Sequence, residues 1–482
     1  MDKDTLVRVF SVFSVCVLLT FQQVGSFHNL SKQKGGDHCF CKLKGQIDDC
    51  SCKAETVDHF NNAKIYPRIR SLLVKDYFRF YKVNLKRPCP FWSDDSRCAI
   101  RHCHVEKCPE EDIPVGLKIE IDDRFLDPAA KYSEEGQESG CDEDHDKELG
   151  YLNKTISPGS YEHFARWKEH DDALDNFCDR HYGEDSSGQA EYVDLLLNPE
   201  RYTGYRGYSA HRIWRSIYLE NCFRPKNSYG SFIQSSKLEG LCLEKRAFYR
   251  AVSGLHSSIN IHLCSLYLFP GVQQPGLESG AGTWGPNLAE FQNRFSPETT
   301  GGEGPHWLRN LYFVYLLELR ALAKASPLLL HEDYFTGVEE EDSAVKEAIA
   351  DILRVISSFP DHFNESSMFM TSPRDANSVW DQNQANKLKA EFREHFRNIS
   401  RIMDCVGCDK CKLWGKLQVH GLGTALKILF SSRIDDRVMH KESGHSPEDF
   451  QLTRSEIVAL FNAFGRLSTS IYELEEFRKM MR

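Results

Sequence analysis

The sequence predicts a mainly α-helical protein: one large helical domain, a disulfide-rich N-terminal segment and long loops. Three observations carry this. From Tyr192 onward apolar residues recur at helical spacing over about 206–222, 243–268, 306–325, 344–358, 385–403, 413–430 and 453–480. Strand-like alternation is scarce, and 41% of the 482 residues are apolar, enough to bury a large core. The net charge of -10 gives no reason to expect nucleic acid.

Residues 1–26 read as a secretory signal peptide. Lys3 and Arg8 precede an apolar run from Val9 to Phe21, and Val24-Gly25-Ser26 offers small residues for cleavage. The run falls short of the about 20 residues a membrane span needs, and no later stretch is apolar enough to span. Sequons at Asn29, Asn153, Asn364 and Asn398 agree with secretion. Loss of the leader removes Cys16 and leaves 16 of 17 cysteines. In an oxidising compartment disulfides are the default for them, and zinc is the minor alternative.

Residues 27–88 form an expected disulfide-stapled segment. Cys39-Phe-Cys41 and Cys50-Ser-Cys52 suggest nested bridges closing a small hairpin. A four-cysteine zinc site is the alternative, although zinc ligands are usually spaced by two or more residues. The aromatic and basic residues of 60–88 are expected to pack onto the core.

Residues 89–150 hold Cys89, Cys98, Cys103 and Cys108, then an acidic loop around Cys141. Arg97, Arg101, His102, His104 and Lys107 surround Cys98 and Cys103, and cations favour the thiolate and so exchange. Four intervening residues place that pair in a loop, where a disulfide can be presented to another protein. A wholly structural reading of the four cysteines stays open. The acidic 131–150 stretch disfavours burial, so Cys141 there reads as a partner-changing switch or as a plain surface bridge.

Residues 151–482 are the expected helical core. Gly280-Ala-Gly-Thr-Trp-Gly285 matches a dinucleotide fingerprint only formally, because no strand precedes it and Pro286 follows. The most informative stretch is Cys405-Val-Gly-Cys408-Asp-Lys-Cys411. Two-residue gaps bring thiols on successive turns within reach, and Lys410 and Lys412 favour thiolates. Such a set is a redox dithiol or part of a metal site, and three cysteines exceed one pair. A dithiol needing reoxidation needs an electron acceptor, and oxygen reacts poorly with thiols. Without a Rossmann motif, a flavin can sit among helices on aromatic and cationic side chains. Candidates are Arg201, Thr203, Trp214, Ser253, His256 and Arg294.

These residues carry a resemblance. The chain resembles the endoplasmic reticulum oxidoreductins in Arg-Pro-Cys89-Pro-Phe-Trp, in Cys98-x4-Cys103 and in Leu-Asn-Pro-Glu-Arg201-Tyr-Thr203-Gly-Tyr. It also does so in Ser253-Gly-Leu-His256-Ser-Ser-Ile-Asn and in Asp-Cys405-Val-Gly-Cys408-x-x-Cys411-x-Leu-Trp-Gly. The resemblance implies an FAD-dependent thiol oxidase in a helical-bundle core. Its outer pair Cys98–Cys103 would take electrons from protein disulfide isomerase and pass them through Cys408–Cys411 to FAD and molecular oxygen, forming hydrogen peroxide. It implies structural bridges Cys89–Cys405, Cys39–Cys52, Cys41–Cys50 and Cys222–Cys242, and regulatory pairs Cys98–Cys141 and Cys103–Cys108. Arg201, Thr203, Trp214, Ser253, His256 and Arg294 match its flavin contacts, and no metal is expected. His306-Trp307 stand where some relatives carry two basic residues, so a phosphate contact is lost or passes to Arg309. The implied location is the endoplasmic reticulum lumen, with membrane association peripheral at most.

Overall fold

A computed structural model of the chain describes residues 39–41, 50–91, 102–118, 190–201, 207–222, 243–269, 282–359, 379–431, 450 and 452–482. The leader, the 131–150 loop and the sequons at Asn29, Asn153 and Asn364 lie outside these residues.

The fold is mainly helical. Its long helices are α6 (Leu243–Ser265), α9 (Gly304–Leu329), α11 (Val379–Ile402), α12 (Asp409–Leu429) and α13 (Arg454–Met480). Shorter helices surround them: α1 (Ala54–Phe60), α2 (Tyr66–Leu73), α3 (Asp76–Arg79), α4 (Val115–Lys118), α5 (Gly207–Ser216), α7 (Leu288–Phe295), α8 (Pro297–Thr300) and α10 (Glu339–Ser357). Single π-helical turns extend α1 at 61–65 and α5 at 217–221. Among the described residues all sheet is three separate antiparallel pairs: β1 (Cys39–Cys41) with β2 (Cys50–Lys53), β3 (Phe80–Val83) with β4 (Glu191–Asp194), and β5 (Tyr267–Phe269) with β6 (Thr283–Gly285).

Local chemistry sets the helix ends. Thr453 and Glu456 cap α13 reciprocally, each side chain bonded to the other's backbone amide. Asn287 caps α7, and four acidic residues, Glu339 to Asp342, face the positive end of α10. Pro305 occupies the first turn of α9, where its missing N–H is not needed.

The core forms where α9 packs on α6 and α12 packs on α13. Both crossings depend on glycine. A Cβ on Gly254 would stand 2.1 Å from the Asn310 carbonyl oxygen, and one on Gly421 would stand 2.3 Å from that of Ala459. Buried polar links join the chain's two ends to its centre. Asp58 of α1 accepts from Tyr312 of α9 and from Arg478 of α13, and burial pushes its carboxyl up.

Gly421→Val would normally cost little on helix propensity, but here it must force α12 from α13. We expect it to destabilise the protein by roughly 2–3 kcal/mol, the upper part of the overpacking range. A urea-unfolding midpoint equal to that of the unaltered protein would contradict this crossing.

Candidate functional site: two thiol centres at one helix end

α12 starts immediately after Cys408, which is its N-cap residue. The first amides of a helix have no intrahelical acceptor. Here the Lys410 amide donates to the carbonyl of Cys103 at 2.9 Å. Cys103 is 5% exposed and disulfide-bonded. A loop cysteine over 300 residues away thus lies against the start of the inner cysteine helix.

The Cys408 thiol is held below the usual thiol value. The Cys411 thiol donates to it, the Cys411 and Lys410 backbone amides add to this, and burial opposes. Cys411 is fully buried and places its Sγ 3.4 Å from the Arg201 carbonyl oxygen. Cys405 is spent in a disulfide to Cys89, which closes a sequence separation of 316. The chain-entropy model gives about 5 kcal/mol for a loop of that length.

The segment leading into that bridge is stitched along α12. Lys412 donates to the Leu85 carbonyl and Lys416 to that of Asn84. Asp404 is buried within reach of Arg401 at 2.6 Å, Lys416 at 2.7 Å and Arg87 at 3.5 Å. Burial pushes its carboxyl up, while Lys416 and Arg87 pull the other way. On the other side, Asn198 exchanges hydrogen bonds with the backbone of Glu106 and receives the Trp414 indole N–H on its carbonyl. That fixes the chain just beyond Cys103 onto α12.

One face of α12, Cys411, Gly415, Gln418 and Leu422, runs from the thiols along an apolar cavity. α5, α6 and α11 close it with Trp214, Leu255 and Phe396 among others. Gln418 donates to Glu200, which also pairs with Arg466 at 2.9 Å, and its own Oε1 has no hydrogen-bond partner among the described residues. At the cavity wall the Trp214 and His256 rings stack 3.6 Å apart at 12°. His256 meets the Tyr218 hydroxyl through Nδ1. Burial, with the Arg294 charge, holds its pKa down at about 3, so it is neutral at physiological pH.

The structure brings together Trp214, His256, Arg294 and, near Cys411, Arg201. Arg294 reaches Asn260 at 2.6 Å and Glu290 at 2.7 Å. Ser253 lies one turn before His256 and accepts from Asn310 at 3.0 Å. His306 is pushed down by burial and the nearby Arg309 cation. The cavity walls are apolar, with the Trp214 ring and the orphaned Gln418 amide oxygen among them, a lining that suits an apolar or aromatic edge with one hydrogen-bond donor.

Thr203, Cys98, Cys141 and Cys242 lie outside the described residues. Cys222 is buried at the end of the π turn after α5, and Cys264 is wholly buried in α6. Cys108 is a thiol, raised by burial, so it and the disulfide-bonded Cys103 are not joined here. β1 and β2 pair with Cys41 opposite Cys50. Asn398 is 2% exposed within α11, closed to modification once the chain has folded. Glu200, Gln418, Asn198 and Trp414 are site residues that sequence reasoning did not single out. All but Gln418 lie inside the motifs quoted there.

With this geometry in hand, comparison with known proteins is decisive. The family model for Endoplasmic Reticulum Oxidoreductin 1 (ERO1) matches residues 64–474. The chain belongs to this family. It is 54% identical to an Ero1-like protein of Drosophila melanogaster over 98% of this chain and 97% of the other. It is 49% identical to human ERO1-like protein alpha over 93% of each. Among solved structures it is similar to Ero1p, titled as a source of disulfide bonds for oxidative protein folding (TM-score 0.52, 27% identity, 89% of this chain and 98% of that one). A double cysteine-to-alanine mutant of S. cerevisiae Ero1p gives TM-score 0.51 and 26% identity, with the same coverage. The chain is therefore an oxidoreductase of the Ero1 family with the family's helical core.

The Cys411 thiol and first-turn amides sustain the lowered Cys408 value. Cys411→Ala is expected to raise it, so that alkylation of Cys408 reaches its half-maximal rate at higher pH. The same sign governs stability: the reduced protein keeps the benefit of this thiolate above the ordinary thiol range and loses it as pH falls through the lowered value. An unshifted alkylation profile in Cys411→Ala would contradict the assignment.

Proposed function

We propose that the protein is an FAD-dependent thiol oxidase that reoxidises protein disulfide isomerase in the endoplasmic reticulum lumen. The observation that carries this reading is the Lys410 amide bonded to the Cys103 carbonyl. It sets a disulfide-bonded loop cysteine beside a buried dithiol at the start of the helix whose following turns line a cavity. Family membership and the leader support the compartment and the partner. Among the described residues no helix is long and apolar enough to cross a membrane.

The chain's own residues then have defined work. A dithiol of the isomerase attacks the Cys98–Cys103 disulfide, and two successive exchanges leave the isomerase oxidised and the outer pair reduced. An outer thiolate attacks the Cys408–Cys411 disulfide and displaces one inner thiolate. The second outer thiol resolves the mixed disulfide, so two electrons and two protons have moved inward. The α12 amides and the Cys411 thiol hold Cys408 as thiolate, with the Arg201 carbonyl beside the Cys411 sulfur. Trp214, His256, Ser253, Arg201, Thr203 and Arg294 would hold FAD, with Gln418 Oε1 the acceptor for its polar edge. When bound, FAD supplies a two-electron acceptor that molecular oxygen can reoxidise, giving hydrogen peroxide. A neutral His256 adds no positive charge to the wall. Pairing of Cys98 with Cys141, and of Cys103 with Cys108, would withdraw the outer thiols and switch the relay off.

The test is oxygen uptake by the flavin-loaded protein with reduced isomerase. We expect rapid uptake and stoichiometric peroxide, abolished by Cys408→Ala. No uptake by the yellow protein, whether wild type or Cys141→Ala, would sink the reading. In a working enzyme, Cys141→Ala is expected to shorten the activation lag, and an unchanged lag would remove Cys141 from the switch.

A further inference from the structure

Trp284 lies on β6, far in sequence from both cysteine centres, yet it touches a residue belonging to each. The His102 imidazole meets its ring edge-on, with centroids 5.2 Å apart at 79°. The Arg201 guanidinium lies 4.9 Å from the ring centroid. His102 directly precedes Cys103, whose carbonyl accepts from the α12 amide, and the Arg201 carbonyl lies 3.4 Å from the Cys411 sulfur. The indole thus stands between the neighbour of the outer cysteine and the neighbour of the inner one.

The ring is carried by the core. β5 continues from the end of α6, and Leu268 of β5 pairs with Trp284 itself. Just past β6, the Asn287 amide donates to the Cys264 carbonyl of α6 at 2.8 Å. His102, by contrast, lies ahead of the Glu106 anchor to Asn198, next to a stretch without regular structure from 104 to 109. A residue fixed to α6 therefore grips a loop that must reach two partners in turn.

We propose that Trp284 is a positioning residue that clamps the shuttle segment in its inward position, against the start of α12, and so sets the efficiency of exchange between outer and inner pairs. This rests on the relay proposed above. The exchange itself is unchanged: an outer thiolate forms a new S–S bond to an inner sulfur, an inner thiolate leaves, and two electrons and two protons pass inward as the second outer thiol resolves it. Trp284 supplies no reacting group. It raises the local concentration of the outer thiol at the inner sulfur. An edge-on aromatic pair favours the docked position by about two- to tenfold. That is enough to populate it and small enough to leave the segment releasable to an incoming isomerase.

The test uses the full-length, flavin-loaded protein carrying Cys98→Ser, Cys108→Ser, Cys141→Ser and Cys411→Ser, which leaves Cys103 and Cys408 as the exchanging thiols. The fraction joined to each other in a fixed glutathione buffer is read by mass spectrometry after alkylation. Trp284→Ala is expected to lower the joining constant by about two- to tenfold, with the thermal midpoint unchanged. His102→Ala, which leaves the hairpin intact, is expected to match it, and the double variant to fall no further. Trp284→Phe is expected to retain most of the constant. An unchanged constant in His102→Ala, or additive losses in the double variant, would overturn the clamp. Oxygen chemistry does not enter this assay, so a failed clamp leaves the oxidase reading standing. That reading fails separately if wild-type protein takes up no oxygen.

Discussion

The unpaired amides at the start of α12 are the constraint on which the site depends. A helix must find acceptors for its first N–H groups. In this chain they are met by a carbonyl and a sulfur, each belonging to a cysteine. The Lys410 amide takes the Cys103 carbonyl, and the Lys410 and Cys411 amides favour the Cys408 thiolate. One structural need thus holds Cys103 against the start of α12 and, in the proposed relay, prepares the Cys408 sulfur as nucleophile or leaving group.

That helix end works only if it is held. The Cys89–Cys405 bridge fixes the residues just before Cys408, and the buried Asp404 with its three cations ties the same residues to Arg87 and Lys416. Removing one member of such a buried cluster leaves uncompensated charge, whereas the complete set chiefly selects one arrangement. Further along, the bare backbone at Gly421 lets α13 close against α12. Scaffold and cavity use different side chains of one helix: Lys412 and Lys416 bind the 84–85 backbone, while Gly415 and Gln418, on the turns after Cys411, line the cavity.

Much of this was legible in the sequence. The long amphipathic helices could be read because their apolar spacing survives in isolation, and α6, α9, α12 and α13 lie within a few residues of the expected spans. The three-cysteine stretch stood out because two-residue gaps bring thiols within reach, but the two gaps are equal, and only the family resemblance singled out Cys408 and Cys411 as the pair. The N-terminal helices α2 and α3 were not legible, because the aromatic and basic mixture of 60–88 masks their period and a π turn precedes them. Spacing did not say where Cys405 goes, since its partner is 316 residues away. Asn198, Trp414 and Gln418 were missed for the same reason. Each looks like an ordinary polar or aromatic residue until a contact over 200 residues distant in sequence, or across 92 residues for Asn198 and Glu106, gives it work.

The central claim is that Cys103 delivers electrons to the dithiol at the start of α12. Its most direct measurement is anaerobic bleaching of the flavin band after rapid mixing with reduced isomerase, in wild type and in Cys103→Ser. The account predicts fast bleaching in wild type. In Cys103→Ser it predicts none from the isomerase, while a small dithiol able to reach Cys408–Cys411 directly still bleaches the band. Bleaching of Cys103→Ser by the isomerase at the wild-type rate would contradict it.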